Sequence, residues 1–131
     1  MTVTIENLWP DFTTDEIVRS PKTVLREQAS FLGKRTKNIL TGNIRTESYR
    51  NQFSHSFQIV APNLNNYTYT LFTIVEEDIF GFPCKFQSES SFSIKTEEEL
   101  LERLKNIFSS DETKKVINSL MSQSIENDKK I

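Results

Sequence analysis

Residues 52–61, QFSHSFQIVA, decide the fold because apolar and polar side chains alternate along them with a period of two. One set of positions contains Phe53, His55, Phe57, Ile59 and Ala61. The positions between them contain Gln52, Ser54, Ser56 and Gln58, followed by Val60. This alternation predicts a β-strand with one buried face and one solvated face, as in an antiparallel sheet that is covered on one side only.

Three further strands are predicted around this one, at residues 38–48, 67–75 and 79–87. The second of them, YTYTLFTIV, is rich in the β-branched and aromatic residues that strands favour. One face of the last strand contains Phe80, Phe82, Cys84 and Phe86. Pro83 cannot donate a hydrogen bond to a neighbouring strand, which predicts an edge strand or a bulge. The connections are short, and short connections predict an antiparallel meander.

A helix is predicted before the strands, at residues 21–32. Ser20 is a favourable N-cap residue, and Pro21 suits the first helical position. Apolar residues recur there at helical spacing and form one stripe, made of Val24, Leu25, Ala29, Phe31 and Leu32. Gly33 is expected to end the helix in a left-handed conformation.

Two helices are predicted after the strands, each opened by a capping box. Thr96 with Glu99 begins the first of them, and Ser109 with Glu112 begins the second. The resulting order is α-β-β-β-β-α-α. It predicts an α+β domain of two layers, in which helices pack on one face of a four-stranded antiparallel meander.

The chain is expected to consist of one domain and two flanking segments. Residues 20–121 are expected to form the single α+β domain, since 131 residues is an ordinary length for one domain. Residues 1–19 are expected to be irregular, apart from a helical turn near Thr14–Val18. Residues 122–131 are expected to form a disordered tail.

Cysteine usage and hydropathy indicate where the chain resides. The single Cys84 cannot form an internal disulfide, so a reducing, cytoplasmic compartment is expected. No run of about 18 apolar residues is present, so no membrane-spanning helix is expected. The N-terminal stretch MTVTIENLWPDF lacks the basic and apolar regions of a secretory signal.

Charge is distributed unevenly along the chain. Residues 1–18 contain four acids and no base, whereas residues 19–50 contain eight bases and two acids. The candidate binding residues in this basic block are Lys34, Arg35, Lys37, Arg45 and Arg50. Such a block predicts a surface for an acidic partner, either a protein or a nucleic acid.

A second candidate surface lies around the loop that follows residues 52–61. Leu64 lies in this Asn-rich loop, and Tyr67 and Tyr69 begin the next strand. Tyrosine is enriched at protein interfaces, so these three residues are candidates for partner binding. The alternative is that the rings point inward, because the same parity also includes Leu71.

Few residues are able to carry catalysis. His55 is the only histidine, and Cys84 shares its strand face with phenylalanines. A metal site needs about three protein ligands, and no second His or Cys is present. We therefore expect His55 and Cys84 to be core residues, with no metal and no cofactor. GKRTKN at 33–38 is not a phosphate-binding loop, because it follows a helix and lacks the earlier glycine of that motif.

Three hypotheses about function follow. The leading one is a non-catalytic domain that binds another protein, by class-level analogy with inhibitor, immunity or antitoxin proteins. The second is a small metal-independent enzyme that uses His55 or a carboxylate in a pocket between sheet and helices. The third is a nucleic-acid accessory protein that uses the basic segment 34–37. A homodimer formed through a free sheet edge is also compatible with the sequence.

Overall fold

The computed structural model describes residues 5–12, 19–89 and 91–128. Its elements in chain order are α1 (Pro21–Arg35), β1 (Thr41–Tyr49), β2 (Gln52–Ala61), β3 (Tyr67–Glu76), β4 (Cys84–Phe86), α2 (Glu97–Phe108) and α3 (Asp111–Asp128). A 3-10 turn at Pro62–Leu64 joins β2 to β3. Residues 5–12 contain neither helix nor strand, and the turn predicted near Thr14–Val18 lies outside the described residues.

The four strands form one antiparallel sheet in the order β1-β2-β3-β4, which confirms the predicted meander. The pairing of β2 with β3 is interrupted once. Phe57 of β2 pairs with Phe72 of β3. The next residue of β2, Gln58, pairs with Thr70, so Leu71 is an extra residue in a β-bulge.

The helices pack on one face of the sheet, as the alternation along β2 predicted. The buried side chains of β2 on that face are His55, Phe57, Ile59 and Ala61. The helices contribute Val24, Leu25, Ala29, Leu100, Leu104 and Leu120 to the core. The first helix approaches β1 closely, because a Cβ atom on Gly42 would lie 2.7 Å from the Cα atom of Ala29. Glycine at this position therefore sets how closely α1 packs on the sheet.

The last strand is shorter than predicted, because residues 79–83 form a turn instead of extending it. The Asp78 carboxylate accepts a hydrogen bond from the Phe80 amide at 2.9 Å, and Gly81 has a φ of 84°. Phe80 is consequently 76% exposed, whereas Cys84 and Phe86 are buried. β4 is the last strand in the sheet order, as predicted, but Pro83 lies in the turn before it and Cys84 also forms an antiparallel bridge with Ile94.

The first helix ends two residues beyond Gly33, so the predicted stop is wrong. Thr36 caps the helix instead, and its hydroxyl donates to the Leu32 carbonyl at 2.9 Å. The left-handed residues lie after this cap, at Lys37 (φ 52°) and Asn38 (φ 64°). A hydroxyl that satisfies a terminal carbonyl removes the need for a glycine stop.

The C-terminal helix differs from its prediction at both ends. Its N-cap bond is made by Ser110, whose hydroxyl accepts from the Thr113 amide at 3.2 Å, and not by Ser109. The helix continues through residues 122–128, which belong to the tail that the sequence predicts to be disordered. Ser124 in that stretch is fully buried, so packing extends the helix beyond the apolar stripe visible in the sequence. Among the described residues, no helix is long and apolar enough to cross a membrane.

Candidate functional site

The only histidine lies in the layer between the sheet and the helices, where 2% of its surface is exposed. The Nδ1 atom of His55 lies 3.0 Å from Oγ1 of Thr46 on β1. Its Nε2 atom lies 2.9 Å from Oε1 of Glu76 on β3, and Glu76 is 6% exposed. Both ring nitrogens are therefore engaged, and their hydrogen bonds link three adjacent strands.

Glu76 is the partner of His55 that sequence reasoning missed. The predicted strand stopped at residue 75, whereas β3 includes Glu76. Phe72, Ile74 and Glu76 alternate along β3, and this alternation was the available signal. The arrangement supports a structural role for His55, because a buried pair with satisfied hydrogen bonds offers no open atom to a substrate.

Cys84 is 1% exposed, which confirms that it belongs to the core. Burial, and to a smaller extent the charge of Glu76, raises the pKa of the Cys84 thiol from 9.0 to about 12. The thiol is therefore protonated at neutral pH and is a poor nucleophile. Among the side chains in the described ranges, no group of three or more His, Cys, Asp or Glu is placed to hold a metal ion.

A cleft opens between α1 and α3, and we call it the α1–α3 cleft. Its volume is about 610 Å³, which is within the usual range for binding sites. The sheet contributes Phe57, Ile59 and Leu71 to its lining. The helices contribute Leu32, Phe108 and Ile117. The β-bulge of β3 thus supplies one side chain to an apolar surface that is open on the helical side of the domain.

Two of the predicted basic residues, Lys34 and Arg35, also line the α1–α3 cleft, and both are exposed. The ammonium group of Lys34 lies 5.5 Å from the centre of the Phe31 ring. Phe31 was predicted to be part of the core stripe, but it is 48% exposed beside the cleft. Within the part of the chain that the structure describes, neither Lys34 nor Arg35 forms an ion pair. The mouth of the cleft is therefore both aromatic and cationic.

The other three predicted basic residues do not line the α1–α3 cleft. Lys37 lies in the turn after α1. Arg45 is exposed on β1, and its guanidinium pairs with Glu47 at 2.8 Å. Arg50 lies between β1 and β2, where its guanidinium stacks 5.3 Å from the centre of the Tyr49 ring. Of the five predicted basic residues, two therefore line the cleft and three do not.

Leu64, Tyr67 and Tyr69 line a second groove of about 540 Å³ together with side chains of α3. Leu64 and Tyr69 pack against the core, whereas Tyr67 is 51% exposed. The last turn of α3 holds the adjoining loop, since the Asn127 amide donates to the Asn63 carbonyl at 2.5 Å. The inward orientation considered above thus describes Tyr69 better than Tyr67.

Comparison with known proteins gives no relative for this arrangement. No family model, no curated protein and no solved structure matches the chain.

Proposed function

We propose that the chain is a non-catalytic binding domain whose α1–α3 cleft receives an apolar segment of a protein partner that carries acidic residues. The observation that carries the proposal is that Lys34 and Arg35 lie at the mouth of an apolar cleft of about 610 Å³. A negatively charged segment would meet these two cations at the mouth, while its apolar side chains would contact Phe31, Leu71 and Ile117.

Charge and apolar area have different roles in such a complex. Exposed cations accelerate association with an acidic partner and select against basic ones. The apolar lining supplies the area that is removed from water, at about 25 cal/mol per Å². A half-exposed aromatic such as Phe31 is the type of residue that anchors an interface.

Two features weigh against the other hypotheses. His55 and Cys84 are buried, so the enzyme hypothesis would need a carboxylate in place of either. The nucleic-acid hypothesis would need several cations along one surface, and of the five predicted basic residues two, Lys34 and Arg35, line the cleft. We keep a cytoplasmic location as part of the proposal, because the single thiol is compatible with a reducing compartment.

The test compares two neighbouring substitutions on α1. Phe31→Asp places a charge at the mouth of the cleft, and Ser30→Asp places the same charge on an adjacent exposed residue. A partner captured by the wild-type chain should be lost with Phe31→Asp, retained with Ser30→Asp, unaffected by nuclease and weakened by salt. Equal capture by both variants would contradict the proposal, and loss on nuclease treatment would favour the nucleic-acid hypothesis.

A further inference from the structure

The N-terminal segment 5–12, IENLWPDF, exposes four large apolar side chains. The exposed fractions are 91% for Ile5, 85% for Leu8, 78% for Trp9 and 73% for Phe12. The segment therefore leaves four large apolar side chains in water within eight residues. Such surface, when it is concentrated in one place, is characteristic of an interaction site.

The charge and conformation of this segment suit it for docking. It contains two acids, Glu6 and Asp11, and no base. Pro10 fixes its own φ angle and restrains Trp9 to extended conformations. The Asn7 side chain accepts a hydrogen bond from the Trp9 amide at 3.2 Å, which restricts the backbone further. A segment that is restrained before binding loses less conformational entropy when it binds.

We propose that segment 5–12 of one chain occupies the α1–α3 cleft of a second copy, and that the exchange is reciprocal. This inference rests on the proposed function, because it names the acidic, apolar segment that the cleft receives. Glu6 and Asp11 would face Lys34 and Arg35, and Trp9 and Phe12 would contact the apolar lining. A reciprocal exchange closes a two-fold dimer and leaves no free site for further growth.

The area that would be buried is sufficient for a dimer. An aromatic side chain buries about 150–250 Å², so Trp9 and Phe12 of two arms would bury about 600–1,000 Å² on the arm side alone. The cleft surfaces, together with Ile5 and Leu8, would bring the total to about 1,200 Å², which is the lower bound for a specific interface. All four side chains are exposed in the single chain, which leaves this area available to a second copy.

Trp9 is the only tryptophan in the sequence, so its fluorescence reports on the arm alone. We expect the emission to shift to the blue as protein concentration rises, in parallel with a monomer-to-dimer transition in sedimentation equilibrium. Emission typical of solvated tryptophan at all concentrations would overturn the proposal. A blue-shifted emission in a monomer, independent of concentration, would also overturn it, because the arm would then dock on its own chain.

A mixing experiment tests the exchange itself. Phe12→Asp alters the arm and Phe31→Asp alters the cleft, and both side chains are exposed enough for the fold to tolerate the change. Each variant alone should dimerise at least about 10-fold more weakly than the wild type. An equimolar mixture should form a heterodimer through its one intact arm and its one intact cleft. Failure of the mixture to associate more strongly than either variant alone would contradict the exchange.

Charge reversal gives an independent result. Lys34→Glu with Arg35→Glu should weaken the dimer, and Glu6→Lys with Asp11→Lys should weaken it as well. Combining all four substitutions should recover at least half of the lost association, because opposite charges are again paired. No recovery would overturn the proposed orientation of the arm.

These results separate the dimer from the proposed function. If Trp9 remains solvated while Phe31→Asp still prevents capture of a different protein, the dimer is wrong and the binding function stands. If Phe31→Asp changes neither association nor capture, the cleft is not a binding site and both proposals are wrong.

Discussion

The two halves of the buried face of β2 differ in their surroundings, since one half forms hydrogen bonds and the other half lines a cleft. At one half, His55 bonds to Thr46 and Glu76, and the site is closed. At the other half, Phe57 and Ile59 line a cleft of about 610 Å³. The same strand therefore contributes a closed polar network at one end and the buried floor of an apolar cleft at the other, and the more exposed side chains of that cleft are Phe31, Leu71 and Ile117.

This difference shows that the residues most suited to chemistry are not the residues most available for it. The histidine and the thiol are buried, while the cations beside the cleft are exposed and unpaired within the described ranges. We therefore place the proposed binding at the cleft and expect the buried polar network to stabilise the fold. Measurements of reactivity, stability and binding each distinguish these two regions.

The largest effect concerns the reactivity of Cys84. With its thiol pKa raised to about 12, the folded protein at pH 8 should contain about 1,000-fold less thiolate than the unfolded chain. A thiol reagent should therefore label Cys84 only after denaturant is added, as measured by mass spectrometry. Rapid labelling of the native protein would show that Cys84 is accessible in the folded state and is not a core residue.

The same pKa shift predicts the direction of a pH effect on stability. Because the pKa is higher in the folded state, protonated Cys84 stabilises the fold fully below pH 9, and this contribution disappears between pH 9 and about 12. Compared with Cys84→Ala, the wild type should lose stability over that range. If the free energies of unfolding of the two proteins changed with pH in the same way, the raised pKa of Cys84 would be contradicted.

Removing the partner of His55 should destabilise the fold strongly. Glu76→Ala leaves a buried ring nitrogen without its hydrogen bond and creates a cavity, so we expect a loss of about 3 kcal/mol in the free energy of unfolding. The matched control is Glu77→Ala, since Glu77 is exposed and forms an ion pair with Lys85 at 3.4 Å. That change should lower stability by less than about 1 kcal/mol. Urea unfolding measures both, and equal losses would contradict the role of the buried pair.

A methyl group at the contact of α1 with β1 should have an intermediate effect. Gly42→Ala would place a Cβ atom 2.7 Å from backbone and side-chain atoms of Ala29, so helix and strand must separate. Overpacking of this kind lowers stability by about 1–3 kcal/mol. Ser48→Ala, at an exposed position of the same strand, serves as the control, and the two melting temperatures give the comparison. A Gly42→Ala protein as stable as this control would show that α1 does not pack closely on β1.

The smallest effect on stability is expected at the mouth of the cleft. Phe31 is 48% exposed, so Phe31→Ala should change the free energy of unfolding by about 0.5 kcal/mol or less. The same substitution should weaken binding in the cleft at least about 10-fold, because an aromatic anchor is lost. Thermal unfolding and sedimentation separate the two effects. A large loss of stability would mean that Phe31 belongs to the core after all.

The fold could be predicted from the sequence where periodicity and capping agreed. The bounds of β2 were predicted correctly, and Thr96 caps α2 by accepting from the Glu99 amide at 3.2 Å. The errors lie where a tertiary contact replaces a local signal. Thr36, and not Gly33, caps the C-terminus of α1. The burial of Ser124 extends α3 into the residues predicted to form a tail.

The candidate site was less predictable than the fold. Lys34 and Arg35 were singled out by charge alone, and their role beside a cleft depends on the distance between helices, which no local pattern encodes. Phe31 fitted the apolar stripe of α1, yet the helix faces a gap at that position. Leu71 reaches the cleft through a β-bulge, and a shift of register is not visible in an alternating strand.

The most direct test of the account is a titration of the Phe12→Asp variant with a synthetic peptide of residues 5–12, followed by backbone amide NMR. Docking of the arm in the α1–α3 cleft predicts shifts for Leu71, Ile117 and their neighbours, with the amides of Thr46 and His55 unchanged. It also predicts that Lys34→Glu with Arg35→Glu weakens the binding. Shifts centred on His55, or no binding at millimolar peptide, would contradict the proposal that the α1–α3 cleft is the binding site.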